Sequence, residues 1–273
     1  MPRQLALSAG ALAGGVLATT LLHRERRARR SAERFTAAAL ETLLNAIDAN
    51  DHETGAHVRR VAVYALTLAD AADLDEMARQ TIERVALFHD IGKIHEALFD
   101  IIHDQSTLTP EEWAAIATHP QRGARVLEPL SAFYPDLARG VLAHHERWDG
   151  TGYPRGLKGR RIPIAARVVA IADSFDAITH RRRYRDGRTG NEAATVIAAG
   201  RATQFDPELT DLFLFPPVFA RIQRDMRQSN VPRARGGDRR VGKSLVAPDI
   251  TFRWRSGARA RHGRDEPRQP ARR

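Results

Sequence analysis

No cysteine occurs among the 273 residues, so disulfides and thiolate-bound zinc are both excluded. Any metal held by this chain must be bound by histidine and carboxylate. Aromatic residues are scarce at 6%, while Ala and Leu dominate the apolar positions. That bias suits helices packed on helices better than a β-sandwich. No alternating strand pattern of useful length is present, and no internal repeat. Hydrophobic residues still make up 42%, enough for a proper core in one large domain or two small ones.

Acidic charge is short overall, with a formal net charge of +10, but the surplus is confined to the ends. Met1–Arg30 has six Arg against one Glu, and Gln228–Arg273 has thirteen Lys or Arg against four acids, which leaves Ser31–Arg227 at −4. The central domain is therefore mildly acidic, and the overall basicity does not make it a nucleic-acid binder. From Gln228 onward prolines and glycines interrupt any helical period, and this segment is expected to be a disordered basic tail (228–273). Solvation, or contact with anionic lipid or nucleic acid, are its two readings.

Leu5–Leu22 is an uncharged run of 18 residues, closely followed by an Arg cluster at Arg24–Arg30. It is marginal for a span of about 20 residues and rich in Ala and Gly. The charge follows the run instead of preceding it, unlike a cleaved signal peptide, and would hold the rest of the chain in the cytoplasm. Residues 1–30 are expected to be a single-pass anchor, the alternative being a soluble helix.

Between the ends the periodicity is helical. Phe35–Asp48, Gly55–Asp70, Leu74–His89, Leu137–His144 and Ile164–Ile178 space apolar residues by three and four. Thr109-Pro110-Glu111-Glu112 has the composition of a helix start, with Thr as N-cap and acids in the first turn.

Histidine is plentiful, and its placement carries chemistry. His89-Asp90 and His144-His145 each end an apolar helical stretch, and Asp173 interrupts a run that otherwise reads as buried. Glu53 and His57 lie four apart, on one face of a helix. His119 precedes a proline, at an expected helix boundary. A buried carboxylate or imidazole is costly unless paired or bound to metal. Singly, each has a structural explanation; together they are nitrogen and oxygen donors suited to Fe, Mn, Ni or Zn. A shared Asp oxygen would bridge two ions at the spacing used for phosphoryl displacement.

The motifs resemble a known family. Phe88-His89-Asp90-Ile91-Gly92-Lys93 is similar to the HD-x-GK core of HD-domain phosphohydrolases, and His144-His145-Glu146-Arg147-Trp148-Asp149-Gly150-Thr151-Gly152-Tyr153-Pro154 resembles the signature of the HD-GYP type. The resemblance runs from about Leu43 to Leu212 and includes neither end. It implies an all-α, HD-type helical bundle (31–227) with two or three divalent transition-metal ions, Fe or Mn foremost. The implied ligands are His89, Asp90, His119, His144, His145 and Asp173, with Asp90 as bridge and catalytic centre, and Glu53 with His57 for a third ion. The implied substrate is cyclic di-GMP, a bacterial second messenger, whose phosphodiester is hydrolysed by metal-activated water. Lys93 is expected to be catalytic together with Asp90 and to reach a phosphate, and Arg182 and Arg185 are expected at the ligand. The loop Gly152-Tyr153-Pro154 is expected to be a fixed turn and a contact for diguanylate cyclases.

Departures lie on the substrate side. Ile94-His95-Glu96-Ala97 and Arg181-Arg182-Arg183-Tyr184-Arg185 differ from the usual runs, losing a proline and an acid in the second case. His95 and His103 are additional donors with surface roles as the alternative. Another (cyclic) nucleotide as substrate, an inactive dinucleotide receptor or scaffold, and a nucleic-acid binder acting through the basic ends are the competing readings. The expected location is the bacterial inner membrane with the catalytic domain in the cytoplasm, a soluble cytoplasmic protein being the alternative.

Overall fold

A computed structural model of the chain describes residues 23–28, 31–32, 34–49, 51–94, 109–180 and 187–229. The expected anchor at Leu5–Leu22, the segment with His95 and His103, Arg182 and Arg185, and the tail from residue 230 lie outside the described residues. Among the described residues no helix is long and apolar enough to cross a membrane. The chain divides into two units, residues 38–234 and the two ends taken together. The larger unit, 38–234, contains every donor picked out above.

The described residues are helical, with one isolated bridge (Arg201 with Phe205) as the nearest thing to a strand. Residues 34–49 form α1. Then come α2 (His52–Ala71), α3 (Glu76–Phe88), a 3-10 turn (Ile91–Ile94), α4 (Pro110–Ile116), α5 (His119–Leu127), α6 (Leu137–Ala143), α7 (Ile164–Thr179), α8 (Gly190–Ala199), α9 (Pro207–Leu214) and α10 (Pro216–Ser229). The last helix includes Gln228 and Ser229, slightly beyond the expected loss of periodicity.

Local chemistry sets the helix starts. Asp51 caps α2 by accepting from the Glu53 amide at 3.0 Å, and Asp75 caps α3 by accepting from Ala78 at 2.8 Å. Thr109 and Glu112 form a reciprocal capping box at the start of α4, and Thr189 with Glu192 repeats it on α8.

The core is made where α2, α3 and α7 pack together. Val58, Val61, Tyr64, Ala65 and Leu68 give α2 one buried stripe, and Val168, Val169, Ile171, Ala172 and Phe175 bury most of α7. Aromatic contacts tie this core together: Tyr64 meets Phe175 edge-on at 5.3 Å, and Phe175 meets Phe213 at 5.4 Å. Burying a side chain such as Phe175 is worth roughly 1.5–3 kcal/mol. Against this base, α5 packs on α6 and on the 3-10 turn. The ends of α3 and α6 and the start of α5 thereby converge, and each carries a histidine.

Candidate metal centre

Three helix ends build the site in the same way. His89 follows α3, and its Nδ1 donates to the Ala86 carbonyl at 2.8 Å. His119 follows α4 closely and donates from Nδ1 to Ile116 at 2.8 Å. His144 follows α6 and donates from Nδ1 to Val141 at 2.6 Å. The last carbonyls of a helix have no intrahelical partner, so each histidine uses one that would otherwise be open. A carbonyl only accepts, so Nδ1 must carry the proton, and in a neutral ring Nε2 is left as a lone pair.

Those lone pairs face one another. His119 Nε2 and His144 Nε2 are 3.1 Å apart, and His119 Nε2 is 3.4 Å from Asp90 Oδ1. Donor atoms of His119, His144 and His145 all lie within 4.8 Å of each other, as do those of His57, His89 and Asp90. Asp173, from α7, places Oδ1 3.4 Å from His57 Nε2 and 3.9 Å from His89 Nε2. Asp90 Oδ2 accepts from the Lys93 amine at 2.8 Å and lies 3.5 Å from His89 Nε2. The expected donors His57, His89, Asp90, His119, His144, His145 and Asp173 are thus brought together, with Lys93 beside them. Glu53 is exposed in the first turn of α2 and belongs to neither donor group. The Gly92 position explains its place in the HD-x-GK run: a Cβ there would overlap the His119 carbonyl oxygen and hold the 3-10 turn away from α5.

Burial pushes the His119 imidazole down to about 3, only partly offset by Asp90, and takes His145 down to about 4. His144 falls well below 6.5, by burial and by the neighbouring histidines. The carboxylates go the same way for a different reason. Burial pushes Asp90 up, but Lys93 and the surrounding imidazoles outweigh it and hold the group well below the usual range. For Asp173, His57 and His89 outweigh burial to the same effect. His57 is the exception: burial lowers it, but Asp173 and Asp176 together raise it to about 9.

These residues fit divalent cations. His89 Nε2 and Asp90 Oδ1 are buried without a hydrogen bond, and opposed Nε2 lone pairs at 3.1 Å repel unless a cation lies between them. His119, His144 and His145 held neutral and Asp90 and Asp173 held ionised are in the protonation states that metal binding requires.

Two residues that support the site were not picked out from the sequence as ligands or contacts. Asp176, one turn after Asp173 on α7 and 1% exposed, accepts from His57 Nδ1 at 2.7 Å and from Arg60 at 2.7 and 2.9 Å. It fixes which nitrogen of His57 faces the cluster. Its spacing of three from Asp173 was the available signal. Glu146, 4% exposed, accepts the backbone amides of Arg155 and Leu157, both at 2.8 Å, and so closes the Gly152-Tyr153-Pro154 loop on itself. At Gly152 a Cβ would overlap the Arg147 amide, so the turn needs glycine there. Tyr153 lies stacked on His145, ring centres 4.9 Å apart and planes 23° apart. A cleft of about 300 Å³ opens beside the donors, lined by Trp113, His145, Tyr153, Asp173, Ser174 and Gln204 among others.

A family model described as HD domain matches residues 41–209, the segment that carries all of these donors. The chain belongs to the HD-domain family. Within it, the run from His144 to Pro154 places this domain with the HD-GYP type. The chain is 39% identical over 174 residues to 3'3'-cGAMP-specific phosphodiesterase 2 of Vibrio cholerae, covering 63% of this chain and 33% of the relative. It is 38% identical over 184 residues to a cyclic di-GMP phosphodiesterase of Thermotoga maritima, covering 67% of this chain and 50% of the relative. It thus spans between a third and a half of the length of these curated relatives. The fold is similar to the crystal structure of a cyclic GMP-AMP specific phosphodiesterase of V. cholerae, with TM-score 0.50, 22% identity, and coverage of 71% of this chain and 52% of that one. This HD domain is therefore an all-α HD bundle whose histidine and aspartate clusters suit a metal centre.

Proposed function

We propose that this HD-GYP domain hydrolyses a phosphodiester of a cyclic dinucleotide, with cyclic di-GMP as substrate. The observation that carries the reading is the convergence of His57, His89, Asp90, His119, His144, His145 and Asp173 on one cluster beside an open cleft. Two or three ions would be held there, with Asp90 at the centre because both of its oxygens face donors. A third ion at Glu53 and His57 belongs to the same proposal. When bound, divalent ions supply positive charge for the phosphate oxygens and lower the pKa of water toward neutrality.

The chain's own residues do the rest. The three carbonyl-bound imidazoles keep the donor atoms fixed without reorganisation. Asp176 and Arg60 hold His57 in place. Lys93, at the rim beside Asp90, supplies a cation for a non-bridging phosphate oxygen. Tyr153, packed on His145, closes one wall of the cleft and keeps bulk water from the imidazoles. Arg182 and Arg185 would bind the ligand from the segment that follows α7.

A second reading, 3'3'-cGAMP as substrate, is favoured by the activity for which a relative at 39% identity is named. Hydrolysis of each dinucleotide by the metal-loaded full chain, followed by chromatography of the products, decides between them. Faster loss of cyclic di-GMP is expected; faster loss of 3'3'-cGAMP would favour the second reading, and binding without cleavage would make the domain a receptor. An anchor within residues 1–30, placing the domain at the cytoplasmic face of a bacterial inner membrane, and contacts of Tyr153 with a diguanylate cyclase and of the basic ends with anionic lipid are part of the same proposal.

A further inference from the structure

One large apolar side chain beside the candidate metal centre is more than half exposed, with an outer face that no ring of the described residues covers. Trp113, on α4, is 54% exposed and lines the cleft together with His144, His145, Tyr153 and Asp173. The rings form a continuous series away from the donors. His144 and His145 lie 4.1 Å apart, His145 stacks on Tyr153 at 4.9 Å, and Tyr153 meets Trp113 at 5.7 Å with an interplanar angle of 69°. Tyr153 thus contacts Trp113 while the indole keeps solvent-exposed surface. The capping box of Thr109 and Glu112 fixes the turn that carries it.

We infer that Trp113 is the stacking platform for one purine base of the dinucleotide whose phosphodiester lies at the metal centre; this rests on the proposed function. A phosphodiester at the donors necessarily has a nucleoside on each side, and the cleft leads from His144 and Asp173 to the indole. Exposing an indole to water is unfavourable, and a flat heteroaromatic partner removes that cost. Stacking is tolerant of base identity because every base presents a π-face. Trp113 therefore strengthens binding of guanine and adenine alike, and discrimination between cyclic di-GMP and 3'3'-cGAMP comes from other residues.

The test compares wild type, Trp113→Phe and Trp113→Ala as metal-loaded full chains. Each is assayed on cyclic di-GMP, on 3'3'-cGAMP, and on methyl 4-nitrophenyl phosphate, a phosphodiester without a purine; quenching of tryptophan fluorescence by each dinucleotide is measured in parallel. The alanine variant is expected to raise KM for both dinucleotides roughly tenfold to a hundredfold with kcat nearly unchanged. The phenylalanine variant should retain most of the binding, the purine-free diester should be cleaved as by wild type, and the quench should be lost with the indole. Unchanged KM for both dinucleotides, or an equal loss on the purine-free diester, overturns the inference. A wild type that is quenched through Trp113 yet cleaves nothing supports the platform and refutes the hydrolase reading. A wild type that neither cleaves nor is quenched refutes both.

Discussion

His119 Nε2 and His144 Nε2 point at each other across 3.1 Å, and the Nδ1 of each ring is already committed to a backbone carbonyl. Neither ring can supply a proton to the gap without becoming charged, and burial opposes that for both. The pair is therefore suited to sharing a cation.

Metal binding should accordingly stabilise the protein. An ion at about one hundred times its dissociation constant adds roughly 2.7 kcal/mol. For a domain of this size that raises Tm by about 5–10 °C. Differential scanning fluorimetry with Mn or Fe, against a chelator control, checks it; no shift with any divalent ion would contradict the geometry.

Asp176→Ala removes the partner of both His57 and Arg60 and leaves a guanidinium uncompensated in a mostly buried position. A loss of about 3–5 kcal/mol is expected in denaturant unfolding. Metal affinity should fall about 10- to 100-fold, because His57 loses the bond that fixes its orientation. Stability lost with metal affinity retained would restrict Asp176 to a structural role.

Glu146→Ala strands two backbone amides, those of Arg155 and Leu157, in the loop that carries Tyr153. The expected cost is about 3 kcal/mol, with a smaller one for Glu146→Gln, which keeps one acceptor oxygen. Faster proteolysis between residues 150 and 157 would report the loosened loop directly.

Much of this was legible in the sequence, for reasons that are local. Thr109 and Glu112 announce the start of α4 because a capping box involves only residues three apart. The ends of α3 and α6 were legible because apolar periodicity stops where His89 and His144 begin. The carbonyl bonds that set the tautomers were not, since the same His at a helix end also serves as a surface cap. Asp176 escaped because its partners, Arg60 and His57, come from a helix more than a hundred residues earlier. Glu53 and His57 share α2 at the expected spacing, but face periodicity does not report that Glu53 lies in the exposed first turn while His57 is enclosed by α3 and α7.

The pH dependence of the metal-free protein follows from the same rings. His119, at about 3, and His145, at about 4, stay neutral in the fold while the unfolded chain takes up protons below about 6.5. His144 shifts in the same direction. Stability should therefore be lost as pH falls below about 6.5. His57, raised to about 9, acts in the opposite sense: its contribution is complete below about 6.5 and is lost as pH rises through about 9. Asp90, Asp173 and Asp176, all depressed, add their loss only below about 4. Thermal scans in chelator should show Tm declining from pH 7 to pH 5; a rise over that interval would contradict these assignments.

The most direct test is metal content and cyclic di-GMP hydrolysis measured on one preparation, wild type beside Asp90→Ala. Asp90 faces His119 with one oxygen and Lys93 and His89 with the other, so its removal should take out bound metal and hydrolysis together while the helical circular dichroism persists. A folded Asp90→Ala protein that keeps the wild-type metal content and cleaves at the wild-type rate would contradict the account.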